Sequence, residues 1–294
     1  MSRVMVGGGR RSGVHSGMMQ SLRIAVLGAG YVGGALATAA AARGHAVTAV
    51  RRSAARAASE GVVNLSGDFV AGPIDGMPVE LDAVVLSVAP SRTTDGYDVT
   101  YPPAAAAAVA LARSSGASTL LYTSSTGVYG GRDGEWVRED SARRGVGPGN
   151  AALIAAEDIV MAAALPRAAV LRIAGIYGPG RDMRARLSSA ASMPQRGEYW
   201  VNIAHRDDIV AAILHALALA ELPVIMNVAD GMPTRAADIA RWLASRSGRD
   251  PQSLAFTNDG ERSRNDQRVS SALLQGTGWT PAYASFREGF ASGL

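Results

Sequence analysis

The chain has no cysteine, which excludes both a disulfide framework and a thiolate metal site. It has no lysine either: all 29 basic residues are arginine, so any mechanism that needs an ammonium group is ruled out. Codon bias in a GC-rich genome accounts for that skew without a functional reason. Histidine is scarce, and His15, His45, His205 and His215 show no metal-ligand spacing. No apolar run approaches the roughly 18 residues that span a bilayer, and "AAAAAVALA", Ala104 to Ala112, suits a soluble helix. The net charge is only +4, its arginines are dispersed and no recognition motif accompanies them, so neither nucleic acid nor membrane is expected as a partner. Residues 1–20 have no apolar stretch of signal-peptide length. They read as a disordered leader, or as sequence upstream of a start at Met18 or Met19, and the expected location is cytoplasmic.

With 48% apolar and 18% charged residues, the 294-residue chain has the composition of a globular protein of one large or two modest domains. From Leu22 onward, short apolar runs alternate with Ala-rich helical segments. "LRIAVLG", "HAVTAVRR", "VVNLSG", "LDAVVLSVAP", "ASTLLYTSS" and "RAAVLRIAGIYG" read as six strands covered on both faces. Strand and helix in alternation predict crossover units, hence a Rossmann-like, doubly wound parallel α/β sheet over residues 21–180. Beyond Gly180 the rhythm changes, and residues 181–294 read as a smaller substrate-binding lobe, with some later segments returning to the first domain. That lobe contains the strand "VIMNVADG" and the helix "TRAADIARWLASRSG", for which Thr234 is the expected N-cap.

"VLGAGYVGG" places Gly28, Gly30 and Gly33 in a Gly-x-Gly-x-x-Gly pattern, after a buried strand and at the opening of a helix. Gly28 permits the tight turn, Gly30 lets the backbone approach a diphosphate, and Gly33 lets helix and strand pack closely. The helix N-terminus, from Tyr31 and Val32, then receives the phosphate charge. The second strand ends in Arg51 and Arg52 with no neighbouring acid. A guanidinium fork suits a 2′-phosphate, so NADP is the expected cofactor, with NAD also possible.

Four later segments carry a resemblance. "YTSSTGVYGG", "LRIAGIYGPGR", "WVNIAHRDDIVAAI" and "NDQRVSSALLQGTGWTPAYASFREGF" follow in order, and the chain from Leu22 resembles the extended and atypical short-chain dehydrogenase/reductases, the superfamily of nucleotide-sugar epimerases and dehydratases. The resemblance implies that Asp68 sits near the adenine, that Ser87, Val88, Ala89 and Thr123 lie along the cofactor, and that Ser125 orients the substrate. "SVAPSR" departs from the superfamily's usual end of the fourth strand by bringing a proline and Arg92.

The larger departure lies in "GPGNAALIAAEDIVMAAA", residues 147–164, where the superfamily keeps a Tyr-x-x-x-Lys pair. A neighbouring ammonium lowers the pKa of that tyrosine so that it can exchange a proton with the substrate oxygen. Aligned on Glu157, the two positions hold Gly149 and Leu153; no tyrosine lies between Tyr129 and Tyr177, and there is no lysine anywhere. Two readings stay open. In one, an oxidoreductase or epimerase-like enzyme acts on a small carbonyl, hydroxyl or nucleotide-sugar-like substrate, with the proton supplied by Tyr129, Tyr97, Tyr101, His205 or a water held by Ser125. In the other, a non-catalytic sensor or scaffold binds a dinucleotide without turning it over. Arg181, Arg184 and Arg186 could pair with an anionic substrate group or remain solvated. The apolar helix at 151–164 is suited to pairing two copies of the chain as a homodimer.

Overall fold

The computed structural model describes residues 21–53, 60–90, 96–145, 147–181, 197–256 and 265–291. The leader at 1–20, Arg92, Arg184 and Arg186 fall outside them. The chain opens with β1 (Arg23–Leu27), α1 (Tyr31–Ala41), β2 (Ala46–Arg51), β3 (Val62–Ser66), β4 (Ala83–Leu86), α2 (Tyr101–Ser114) and β5 (Thr119–Ser125). A short helical turn at Thr126–Tyr129 leads to β6 (Glu135–Val137), α3 (Pro148–Met161), β7 (Arg167–Ile173) and β8 (Gly175–Tyr177). Then come β9 (Trp200–Val201), β10 (Ile203–His205), α4 (Arg206–Ala218), β11 (Ile225–Val228), β12 (Thr234–Arg235), α5 (Ala236–Arg246), β13 (Gln267–Val269), α6 (Ala272–Gly276) and α7 (Phe286–Ala291).

Seven strands form one parallel sheet in the order β11-β7-β5-β4-β1-β2-β3. The expected doubly wound α/β fold is what the chain adopts. Chain order reverses between β1 and β4, and a crevice opens outside the carboxyl ends of the strands at such a reversal. Both faces are covered, α1 and α4 packing together on one side and α2 and α3 on the other. That cover is why the strands read as unbroken apolar runs: β4 is wholly buried, as are all but the first residue of β1. In α2, Tyr101, Ala104, Ala105, Ala108, Val109 and Ala112 recur at helical spacing on the inner face, while Pro102 and Pro103 occupy the first turn, where a missing amide costs nothing.

Two sequence readings change. "VIMNVADG" is not a strand of the smaller lobe: β11 adds to the large sheet beside β7, from Ile225 opposite Val170 to Val228 opposite Ile173. A buried apolar run carries no label saying which sheet it joins. Thr234 does not cap α5, because it lies in β12 with its hydroxyl bonded to the Met232 carbonyl, and Arg235 precedes the helix instead. The inner face of α3 (Ala152, Leu153, Ala156, Val160) is buried inside the protein, which leaves Ala151, Ala155, Asp158 and Met161 as its outer face. Among the described residues, no helix is long and apolar enough to cross a membrane.

A second, smaller core gathers Tyr177, Ile203, Ile239, Leu243, Phe286 and Phe290. Asp208 stitches its C-terminal segment to α4, accepting the amides of Ala282 at 2.7 Å and Tyr283 at 3.1 Å. Asp230 is 5% exposed; its Oδ1 accepts the Met232 amide, and its Oδ2 has no partner among the described residues. Burial, reinforced by the charges of Asp208 and Glu288, pushes the Asp230 carboxyl up to about 7. The folded state therefore holds this proton more tightly than the unfolded chain, and stability should fall as pH rises from about 4 to about 7. Asp230→Asn, which cannot ionise, should flatten that slope and melt higher than wild type at pH 8, as thermal unfolding across pH 4–8 would record.

Candidate functional site

The site begins where β1 runs into α1. Gly28 has φ +92°, and a Cβ there would lie 2.5 Å from the Ser87 carbonyl oxygen at the end of β4. Only glycine fits, for its backbone conformation and for the space. The amides of Gly28 and Ala29 both donate to the Val50 carbonyl, at 3.0 and 2.8 Å, which pins the turn to the end of β2. At Gly33 a Cβ would run into the Gly28 carbonyl, so α1 can sit this close to β1 only without a side chain there. Gly30 is different: its nearest neighbour in that direction is 4.0 Å away, and it opens on a cavity. The first amides of α1 have no acceptor within the helix, and no acidic residue stands in its first turn.

The cavity holds about 1110 Å³ and runs along the carboxyl ends of the strands. Its wall includes Gly28, Gly30, Tyr31, Val32, Arg51, Arg52, Asp68, Ser87, Val88, Ala89, Thr123 and Ser125. Every expected cofactor residue is thus brought to one space except Gly33, which acts from beneath. Arg51 Nη2 donates to Ser53 Oγ at 2.9 Å, and Arg52 is exposed beside it. Asp68 Oδ1 accepts the Val70 amide, and Thr123 Oγ1 donates to the Leu86 carbonyl, joining β5 to β4 at the cavity's edge. Phe69, Val70, Ile173, Ala174 and Ile176 also line it. Sequence reasoning passed over these apolar residues, although each lies within or just after a strand or motif already singled out.

Ser125 ends β5 and caps the turn after it, its Oγ accepting the Gly127 amide at 3.1 Å. Its hydroxyl proton is left to donate into the cavity. The turn is clamped from the C-terminal segment: Asn265 donates to the Gly127 carbonyl, and Gln267 bonds both the Thr126 carbonyl and the Gly131 amide. Below it, Ser124 Oγ donates to Glu157 at 2.7 Å. Arg172 holds both oxygens of Glu157, at 3.1 and 2.8 Å, and both side chains are 1% exposed.

Two catalytic candidates are not brought to the cavity. Tyr129 is buried, donates to Asn227 Oδ1 at 2.6 Å, and lies under the Arg172 guanidinium at 4.7 Å. Burial raises its phenol above the usual value, and its proton is committed to Asn227. His205 is buried as well: Nδ1 accepts the Asp207 amide to cap α4, and the ring stacks on Tyr283 at 4.0 Å and meets the edge of Tyr177 at 5.2 Å. Burial lowers its pKa and keeps it neutral. Neither residue lines the cavity. Arg181 does line the cavity, over the Tyr31 ring at 5.6 Å, with Arg206 at 5.3 Å from the same ring. No group of three or more His, Asp or Glu among the described residues could hold a metal.

Residues 28–218 match the family model described as NAD(P)H-binding. The chain belongs to this NAD(P)H-binding family. Its fold is that of the extended short-chain dehydrogenase/reductases that its motifs resemble. A solved structure from Methylobacillus flagellatus, a putative NAD-dependent epimerase/dehydratase, is 26% identical, with 93% of this chain and 97% of that one covered and a TM-score of 0.76. MoeE5, solved with UDP-glucuronic acid and NAD, is 21% identical over 92% of this chain and 96% of its own, with a TM-score of 0.77. WbmG of Bordetella bronchiseptica, solved with NAD, is 17% identical over 95% and 94%, also at 0.77. No curated protein sequence matches the chain.

The residues present fit a dinucleotide: the one glycine of the turn that could carry a side chain without a clash is the one facing the cavity, where that side chain would occupy a diphosphate's space. Breaking the buried pair beneath the site should cost far more than a surface ion pair. Arg172→Ala leaves buried Glu157 with only the Ser124 hydroxyl and the longer 3.5 Å contact to Arg143, and urea unfolding should register a loss of about 3 kcal/mol.

Proposed function

We propose that this chain is an NADP(H)-dependent oxidoreductase or epimerase-like enzyme acting on a small carbonyl, hydroxyl or nucleotide-sugar-like substrate, with a proton donor other than the Tyr-x-x-x-Lys pair. The observation that carries the reading is the single cavity joining Arg51 and Arg52 at one end to Ser125 at the other, past the open face of Gly30. The bound nicotinamide would supply or accept a hydride. The chain's own residues divide the remaining tasks. Gly30 and the first amides of α1 hold the diphosphate. Arg51 and Arg52 pair with the 2′-phosphate. Asp68 faces the adenine, Ser87, Val88 and Ala89 flank the nicotinamide ribose, and Thr123 lies along the cofactor. Ser125 Oγ, fixed by the Gly127 amide, donates its hydrogen to the substrate oxygen. The nucleotide-sugar class is supported by the fold shared with MoeE5, which was solved with UDP-glucuronic acid.

One observation favours the second reading, a dinucleotide-binding sensor or scaffold: the first turn of α3 has no acidic or capping side chain, and Gly149 stands where a phenol would be expected. Tight cofactor binding with no consumption across a panel of carbonyls and nucleotide sugars would select it.

Calorimetric titration should find NADPH bound more tightly than NADH; equal or reversed affinities overturn the NADP assignment. Arg51→Ala/Arg52→Ala should weaken NADPH binding by roughly 10- to 100-fold while sparing NADH, the loss expected of one or two charge-assisted hydrogen bonds. Gly30→Val should abolish binding of both. Ser125→Ala should lower kcat by about 100-fold with cofactor affinity unchanged.

A further inference from the structure

Near Ser125 the cavity wall comes from the segment that leads into α2. A Cβ on Gly149 would lie 2.8 Å from both Cδ1 and Cε1 of Tyr97 and 3.1 Å from Cγ. A side chain at 149 and the Tyr97 ring therefore exclude one another: the space over the first turn of α3 is already taken by a phenol from elsewhere in the chain. Asn150, the next residue of α3, ties this spot to Ser125. A Cβ on Gly127 would stand 3.0 Å from Asn150 Oδ1 and 3.3 Å from Ser125 Oγ. Tyr97 and Ser125 line the same cavity, and Tyr97 is 37% exposed.

The backbone of Tyr97 is held firmly. Its carbonyl accepts the amides of Thr100 at 3.2 Å and Tyr101 at 2.9 Å, and its ring packs tilted on Tyr101 at 5.6 Å. The neighbouring proton carriers are less suited. Tyr101 is buried, and burial pushes its phenol up to about 12. Ser124 is committed to Glu157. Tyr97 is the exposed phenol of the cavity wall that packs on the first turn of α3, the turn whose Asn150 adjoins the Ser125 loop.

We propose that Tyr97 is the catalytic acid/base of this site, its phenol delivered across Gly149 to the substrate oxygen that Ser125 also binds. The inference rests on the enzyme reading above. In the reducing direction the substrate carbonyl carbon gains a hydride from the bound nicotinamide, the C=O π bond opens onto oxygen, and that oxygen takes the proton of Tyr97 Oη. The phenolate takes a proton back from water. In the oxidising direction the same atoms move in reverse. With no lysine in the chain, the positive end of the α3 dipole, against whose first turn the ring packs, eases the transient negative charge.

Full-length protein treated with tetranitromethane, with and without saturating NADP+, tests the placement once nitrated peptides are mapped by mass spectrometry. Tyr97 should be nitrated in the free protein and protected by NADP+. Unchanged nitration of Tyr97, with NADP+ shown bound by calorimetry, overturns the proposal and leaves the dinucleotide site standing. On any carbonyl or nucleotide sugar that the panel shows to be turned over, Tyr97→Phe keeps the packing on Gly149 and removes the hydroxyl. It should lose more than about 100-fold in kcat while binding NADP+ as wild type does. Full turnover by Tyr97→Phe overturns the proposal. The double variant Tyr97→Ala/Gly149→Tyr, which returns a phenol from the other side of the same contact, should recover activity over Tyr97→Ala. Bound NADP+ with no turnover anywhere in the panel removes the proton step and overturns this inference. No heat with NADP+ or NAD+ overturns the cofactor reading beneath it as well.

Discussion

The structure depends on how closely α1 approaches the ends of β1 and β4. Gly28 touches the carbonyl of Ser87, and Gly33 touches the carbonyl of Gly28, so two side-chain-free positions let the helix, the turn and the neighbouring strand occupy one small volume. Closer packing there points the first amides of α1 past Gly30 into the crevice that the strand order opens. The remaining cavity residues are positioned by the sheet itself: parallel strands in register deliver Arg51, Ser87 and Ser125 to the same edge. A methyl group at Gly28 or Gly33 would therefore disturb a wall of the cavity as well as a local turn.

The floor beneath Ser125 is held differently, by buried charge. Arg172 projects from β7 and Glu157 from α3, and their bidentate pair also engages Ser124, the Glu139 carbonyl and the face of Tyr129. Such a pair contributes little net stability over an apolar replacement, but it costs several kcal/mol when half of it is removed. Its directionality locks the strand end that carries Ser125 against α3. This explains why Tyr129, beside a motif that draws attention to it, is a strut: its hydroxyl completes the network through Asn227.

The sheet and the cofactor end were legible in the sequence because both are local. A buried strand and a glycine turn each carry their meaning within about ten residues. What was not legible depends on distant partners. The "VIMNV" run could be read as a strand, but not as a neighbour of β7. Asn202 stands out within "WVNIAH", yet its work, donating to the Gln267 carbonyl and accepting the Val269 amide, joins two segments far apart in the chain. His205 has the residue type of a catalyst, and only the stacking of Tyr283 and Tyr177 around it reveals a cap for α4.

The first turn of α3 carries that argument furthest. Read along the chain, Gly149 is a deletion: a position expected to bear chemistry bears none. In space it is a socket, because the missing side chain is what admits the Tyr97 ring. The two facts are one constraint, since a residue larger than glycine at 149 and a tyrosine at 97 cannot both occupy that volume. A proton-exchanging phenol needs a place relative to the substrate oxygen, and it does not matter which strand or helix its backbone comes from. A sequence frame tests only the second requirement, so it reports an empty site where the geometry holds a phenol.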